Sequence, residues 1–420
     1  MLFRSHFAYI KNLTENKIQF GFANFNSGFG TQSSIFYFSS LLYLPIIKYY
    51  LINLHGLIIL IFSNIFFLDN FFFNKKNNVS FIKILSFFSF VFINLFFSRL
   101  AEYGTDRAGQ IIVFIIIIIF LNNLIKKFYS EENVKILLIL IIYVLSIKSY
   151  FLIYTFLLIL ILIKYRNNLK KFFFNNVNLL FILILFLFLF FSVNIANTGC
   201  IIFPLPSSCF TSLFWSVPLD GVIAVNNWFE LWSKAGATPN YVVENKIEYL
   251  QNFNWVSNWI KNYFFTKGSD TIGGIFTIIL FFIFLFKSKR TKKNVLPELK
   301  YLYFFLIILF IIWFNKHPDL RYGGYVLISL LFFIPASVYL SKYRVKYKYT
   351  NLKIFLLVTI IVLSFNIRNC LRIISEFNRE DIYKFNNFPF FSEEYLKTNI
   401  NFGLLQKPVN INGYKFYTKK

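Results

Sequence analysis

Long apolar runs separated by short basic connectors set the pattern of this chain. Runs of this kind predict membrane-crossing helices near residues 51–72, 80–98, 111–125, 134–147, 149–164, 176–194, 272–286, 300–314, 325–341 and 354–366. Several are shorter than the roughly 20 residues a bilayer usually needs. The pair at 134–164, hinged at Lys148, also reads as one bent helix or a re-entrant hairpin. Polar stretches frame these runs. Residues 1–50 begin polar and aromatic, with Gly21, Gly28 and Gly30 as turn signals, and turn apolar over 33–47, a length suited to the membrane interface. The plan is an N-terminal extracytoplasmic or interfacial segment (1–50), a first helical block (51–194), a large loop (195–271), a second block (272–366) and a polar tail (367–420). Within the tail, Ile367 to Phe385 has the pattern of an amphipathic helix. The predicted fold class is an all-α integral membrane protein of about ten transmembrane helices with one large extracytoplasmic loop.

Composition agrees. The chain is 57% hydrophobic and 22% aromatic, a balance foreign to soluble domains and matched to a lipid bilayer as its main partner. Phe, with 61 copies, keeps company with many Ile, Leu, Asn and Lys, as AT-biased codons would produce on lipid-facing helices. A net charge of +25 raises nucleic acid as a partner, but the placement of the charges excludes it. They sit in clusters between apolar runs, at Lys75-Lys76, Lys126-Lys127, Lys164 to Lys171, Lys287 to Lys300 and Lys342 to Lys353, which marks cytoplasmic loops. Residues 195–271 carry four lysines against five carboxylates, so this loop is expected on the opposite face, periplasmic if the host is the bacterial inner membrane. The same alternation puts the N-terminal segment, 98–110, 315–324 and the tail on the outer side. An N-terminus translocated with Arg4, Lys11 and Lys17 is unusual and predicts a helix upstream.

The large loop holds five of the six tryptophans (Trp215, Trp228, Trp232, Trp255, Trp259), whose faces suit sugar stacking and equally suit interfacial anchoring or packing. It also holds Cys200 and Cys209, a short disulfide if the loop is in an oxidising space and two ordinary small residues otherwise. Cys370 is expected to be unpaired, and His6, His55 and His317 are scattered, without zinc spacing.

Two short polar loops carry candidate chemistry. In Ser98 to Gln110, the charged groups Glu102, Asp106 and Arg107 lie where a lipid headgroup would lie. A carboxylate there serves as general base or holds a divalent metal; the plainer reading is a helix cap at Asp106 and a Glu102–Arg107 pair. In Asn315 to Tyr322, Arg321 suits bidentate phosphate binding, with His317 and Lys316 beside it; snorkelling to headgroups is the plainer reading. No nucleophile–His–acid set and no phosphate-binding glycine loop is present.

Four stretches together carry a resemblance: residues 6–30, Glu102-Tyr-Gly-Thr-Asp106, Gly199 to Cys209, and His317-Pro-Asp-Leu-Arg-Tyr322. They resemble an uncharacterised bacterial family of polytopic membrane proteins that is distantly similar to the C-type glycosyltransferases. The resemblance implies a polyprenyl-phosphate sugar as donor and a glycan or lipid acceptor. It implies catalytic roles for Asp106 and Glu102, and substrate contacts from His6, Arg107, His317, Arg321 and Tyr322. In such proteins an aspartate precedes a Leu-Tyr-His element of the first loop. Here His6 matches the histidine, Arg4 and Ser5 replace the other two, and the aspartate's place falls at about Met1. The resemblance thus implies a chain that starts one segment late, with Asp106 as the remaining acid. An O-antigen polymerase or ligase, relying on outer-loop arginines, is the second enzyme class. A transporter or an inactive scaffold is the non-enzymatic one, and nearly pure Phe, Leu and Ile in most spans weighs against transport.

Overall fold

A computed structural model of the 420-residue chain describes residues 2–47, 49–72, 80–97, 105–126, 130–236, 243–286, 299–343, 347–378 and 408–418. The described residues are mostly helical, with one two-stranded hairpin. Among the described residues, six helices are long and apolar enough to cross a membrane: Leu54–Phe72, Thr105–Ile125, Val177–Thr198, Val256–Leu285, Leu299–Lys316 and Leu352–Ser375. Phe81–Phe96, Ser149–Ile163 and Gly324–Leu340 are shorter apolar helices. The chain is an all-α protein built for a bilayer.

Local chemistry sets the helix ends. Ser130 caps the Glu131–Ile147 helix by accepting from the Asn133 N–H at 3.2 Å, with Glu131 and Glu132 in the positively polarised first turn. Gly199, at φ 79°, closes the Val177–Thr198 helix by donating its N–H to the Ile195 carbonyl at 2.7 Å.

Thr105–Ile125 is the central helix, almost wholly buried, whereas Val177–Thr198 and Leu352–Ser375 stay largely exposed to whatever solvates the bundle. One apolar core runs through the helical body, from Phe67 and the Phe81–Phe97 stretch through Ile111–Leu121 to Phe333. Amide pairs supplement the packing. Asn64 and Asn94 exchange side-chain hydrogen bonds at 2.8 and 3.3 Å, the kind of polar link that joins helices where water is absent.

The structure redraws the large loop. The helix expected from residue 272 begins at Val256 and continues through a wide π-helical stretch, Ile260–Gly268, into Ser269–Phe286. Trp255 and Trp259 are therefore core residues, packed on Phe314 with ring centroids 5.1 and 5.5 Å away. Polar spacing from Ser257 to Asp270 reads as loop, but this helix faces protein on one side and can carry polar residues on the other. Trp228 and Trp232 pair on the Leu219–Lys234 helix, and Trp215 lies apart, so the tryptophans make no single platform.

The tail matches expectation at its start and departs from it at its end. The last helix runs Tyr347–Phe377 and so includes Ile367 to Phe377, residues 379–385 lie outside the described residues, and the chain returns as a hairpin of Val409–Ile411 and Tyr414–Phe416. This hairpin docks on the first loop. Phe20 donates its N–H to the Lys415 carbonyl at 3.0 Å and accepts from the Tyr417 N–H at 2.9 Å. Gly21, at φ 67°, donates to the Ala196 carbonyl at 2.8 Å, and a Cβ there would strike the Tyr417 and Trp215 carbonyls. The Asn24 amide donates to those same two carbonyls at 3.1 and 2.9 Å. First loop, disulfide loop and tail thus close on one another. Cys200 and Cys209 are bonded, and Cys370 is exposed and free.

Candidate functional site

The Thr105–Lys126 helix places Asp106 in its first turn, where the helix dipole favours an anion. The Asp106 side chain is only 7% exposed, and both oxygens are engaged. Oδ2 accepts from Arg321 Nε at 3.1 Å and Nη2 at 2.9 Å. Oδ1 accepts from Lys148 Nζ. The two loops singled out in the sequence, 215 residues apart, are thus joined by a charge-assisted pair.

Lys148, a hinge between two apolar runs in the sequence, supplies the second cation. It ends the Glu131–Ile147 helix in extended conformation, at φ −158° and ψ 131°, and a tight 3-10 turn, Ser149–Thr155, follows. Its ammonium also stands 5.1 Å from the centre of the Tyr322 ring. A lone lysine between two apolar runs, with no other charge to form a basic connector, was the available signal.

The loop that carries Arg321 is held rigidly. Four successive carbonyls each have a side-chain donor. Trp259 Nε1 donates to Pro318 O at 2.8 Å, and Trp313 Nε1 to Asp319 O at 3.0 Å. Gln110 Nε2 donates to Leu320 O at 3.3 Å and Arg321 O at 3.1 Å, while its Oε1 accepts from the Val326 N–H at 3.0 Å. Asp319, 1% exposed, caps the short Leu320–Tyr322 turn by accepting from the Arg321 N–H at 2.9 Å. The same oxygen accepts from Tyr263 Oη at 2.7 Å, and Tyr263 in turn accepts from the Leu320 N–H at 2.7 Å. Tyr263 reaches this point from the π-helical stretch, a distortion often found beside functional sites. Gln110 and Asp319 lay within the two polar motifs without an assigned role; Tyr263 and Trp313 lay outside both.

Of the other candidates, Arg107 lies close enough to the Tyr325 ring to act on it electrostatically. His317 stands 5.5 Å from the Tyr322 ring, and Tyr322 is 6.4 Å from Tyr150. His6 packs on Phe36 at 4.8 Å in the N-terminal aromatic cluster. Glu102 lies outside the described residues. Among the described residues, no group of three or more His, Cys, Asp or Glu is placed to hold a metal.

Electrostatics follow the geometry. The Asp106 carboxylate holds the Arg321 guanidinium pKa above its ordinary value. Burial raises the Tyr322 phenol, which stays a neutral donor. Burial also lowers the His317 pKa from 6.5, against the opposite pull of the Glu230 carboxylate. The unfolded chain therefore binds that proton more readily than the folded one. Stability from this group is present above its unfolded pKa and declines as pH falls through 6.5 toward the folded value. Thermal midpoints measured between neutral and mildly acidic pH should fall less steeply for His317→Gln than for the wild type. Parallel profiles would show that His317 is not buried neutral.

Two cations share one carboxylate, so the trio carries one net positive charge. The positive members face outward: the side chains of Arg321 and Lys148 are 39% and 22% exposed against 7% for Asp106. Arg321 binds Asp106 through Nε and Nη2 and has no hydrogen bond at Nη1 among the described residues. Such a site can hold a further anion. With both oxygens committed to cations, Asp106 is built to position them.

No curated protein and no solved structure matches the chain. A family model does, over residues 5–328, a stretch containing Asp106, Lys148, Tyr263 and Arg321 but not the docked tail. With the match spanning most of its length, the chain belongs to DUF8201, a domain family of unknown function.

Proposed function

We propose that this chain is a ten-span protein of the bacterial cytoplasmic membrane that takes a sugar from a polyprenyl-phosphate carrier and transfers it to a glycan or lipid acceptor. The carrying observation is the outward-facing Lys148–Asp106–Arg321 trio, with its net positive charge and open guanidinium edge. A phosphate at that edge would receive a charge-assisted hydrogen bond and complete the charge balance. All ten apolar segments fall on helices, which supports the span count, and the basic connectors support the periplasmic placement of the site.

In the transfer, the acceptor hydroxyl oxygen bonds to the anomeric carbon as the carbon–oxygen bond to phosphate breaks. The phosphate leaves with that electron pair, and Arg321 and Lys148 stabilise its charge. The hydroxyl proton passes to a carboxylate, for which Glu102 is the candidate because Asp106 is committed to two cations.

The full chain in lipid nanodiscs should bind polyprenyl phosphate and not polyprenol, with affinity reduced about 10- to 100-fold by Arg321→Ala. Equal binding of phosphate and alcohol, or no effect of the substitution, would remove the phosphate seat. The same commitment of Asp106 favours a second reading, a polymerase- or ligase-type enzyme that relies on outer arginines rather than on an acid. Glycan transfer that survives Glu102→Gln and fails with Arg321→Lys would select it.

A further inference from the structure

At the far end of the Ser149–Ile163 helix from Lys148, the chain turns back through a connector that is itself folded. A 3-10 turn, Arg166–Asn168, runs into a short helix, Leu169–Asn175, and this into the long Val177–Thr198 helix. Two side chains fasten the connector to the body. Phe172, 2% exposed, packs edge-on against Tyr165 with ring centroids 5.8 Å apart. Asn176 Nδ2 donates to the Phe172 carbonyl and to Glu131 Oε1, both at 2.8 Å. At about 100° per residue, Leu169 and Phe172 define the inward side of the short helix, and Lys170, Lys171, Phe173 and Phe174 fall on its outward arc. All four are exposed, Phe173 by 48% and Phe174 by 81%, as is Arg166. The same end of the bundle carries Glu131, held by Lys135 at 3.2 Å, and the exposed Glu132. With the Lys135–Glu131 pair neutral, three exposed cations face one exposed carboxylate. Bare phenyl rings are unfavourable in water and ammonium groups are unfavourable in hydrocarbon. The headgroup boundary of a bilayer suits both, with rings among acyl chains and cations on phosphates. The connector stands where that boundary must lie, because it joins two apolar helices, one of them of crossing length.

We propose that residues 166–175 form a binding site for an anionic membrane lipid. Arg166, Lys170 and Lys171 hold the lipid phosphate, and Phe173 and Phe174 insert beside its acyl chains. The site lies one crossing-length helix away from the disulfide loop, on the opposite membrane face, and is independent of any phosphate bound at Arg321.

The test titrates purified full-length protein in detergent with fluorescently labelled phosphatidylglycerol and with phosphatidylcholine carrying the same label. Each cation near a headgroup is worth about a fivefold preference for an anionic lipid, so wild type should favour phosphatidylglycerol by at least about tenfold. Lys170→Gln with Lys171→Gln should lower phosphatidylglycerol affinity about 10- to 30-fold and leave phosphatidylcholine unchanged. Arg166→Gln should lower it about fivefold, and it decides the matter if the double variant fails to fold. Phe174→Ser should weaken both lipids alike. Lys292→Gln with Lys293→Gln removes the same charge from another basic connector and should change nothing. An equal loss there reduces the attraction to net charge and overturns the site. A wild type without preference for phosphatidylglycerol overturns it too, as does a preference undiminished in the folded variants. Glycerol 3-phosphate is the remaining probe. If it displaces the labelled phosphatidylglycerol at equal concentration, the ligand is a free phosphate and the lipid assignment fails.

Discussion

Replacing Asp106 by asparagine should destabilise the folded protein by about 2–3 kcal/mol, seen as a lower thermal midpoint in detergent. Asparagine keeps the shape and removes the charge. Lys148 and Arg321 would then face one another across a group that no longer neutralises either. Breaking a buried ion pair by deleting one partner typically costs ~3–5 kcal/mol, because the surviving charge is left uncompensated. The lower figure applies here because the Arg321 side chain is 39% exposed and water screens part of the repulsion. The converse substitution separates charge from packing. Asp106→Leu combined with Lys148→Met and Arg321→Leu should recover much of the lost stability while abolishing phosphate binding. An Asp106→Asn protein as stable as the wild type would mean that the trio is a surface arrangement without structural weight.

Gly323→Ala should cost a similar amount, ~2–3 kcal/mol, for a different reason. Gly323 ends the Leu320–Tyr322 turn at φ 83°, where an L side chain costs about 1–2 kcal/mol. A Cβ at this position would also run into the Tyr150 hydroxyl. Tyr150 has little room to yield, with Phe151 centred 4.6 Å from its ring and Tyr322 at 6.4 Å. The displaced turn carries Arg321, so affinity for polyprenyl phosphate should fall along with stability. Pairing Gly323→Ala with Tyr150→Leu should return the steric share and leave the backbone share of about 1–2 kcal/mol. Thermal unfolding and lipid titration of the single and double variants check both parts. Full recovery in the double variant would refute the backbone share.

Much of the helical body was legible in the sequence because apolar runs without interruption have few alternatives to a helix. Asp106 and Arg321 were legible as well, since charged residues flanking apolar runs stand out. Their pairing was not, because nothing local encodes a partner 215 positions away. Lys148 was overlooked as chemistry because a lysine between two spans reads as a connector. Tyr263 was hidden more deeply: Lys261, Asn262 and Lys267 around it have loop polarity, while its own ring is 2% exposed. The tail was illegible for a simpler reason. Strands of three residues have no measurable periodicity, and their pairing with Phe20 is made through backbone atoms that any sequence possesses.

The closure of the first loop by the tail, together with the meeting of distant loops at Lys148, imposes a counting rule on membrane threading. Phe20 meets Lys415; Gly30, Lys148 and Asn194 border one recess; Lys148 and Arg321 share Asp106. On the proposed path these points all lie on one side of the bilayer, which requires an even number of crossings between each of them and the next. The six long helices alone leave a single crossing between Gly30 and Asp106, between Asp106 and Lys148, between Lys148 and Asn194, and between Arg321 and Lys415. The proposed ten-crossing path places two in each of those intervals by pairing the long helices there with Phe81–Phe96, Glu131–Ile147, Ser149–Ile163 and Gly324–Leu340. The proposed path meets that parity, and the six long helices by themselves do not.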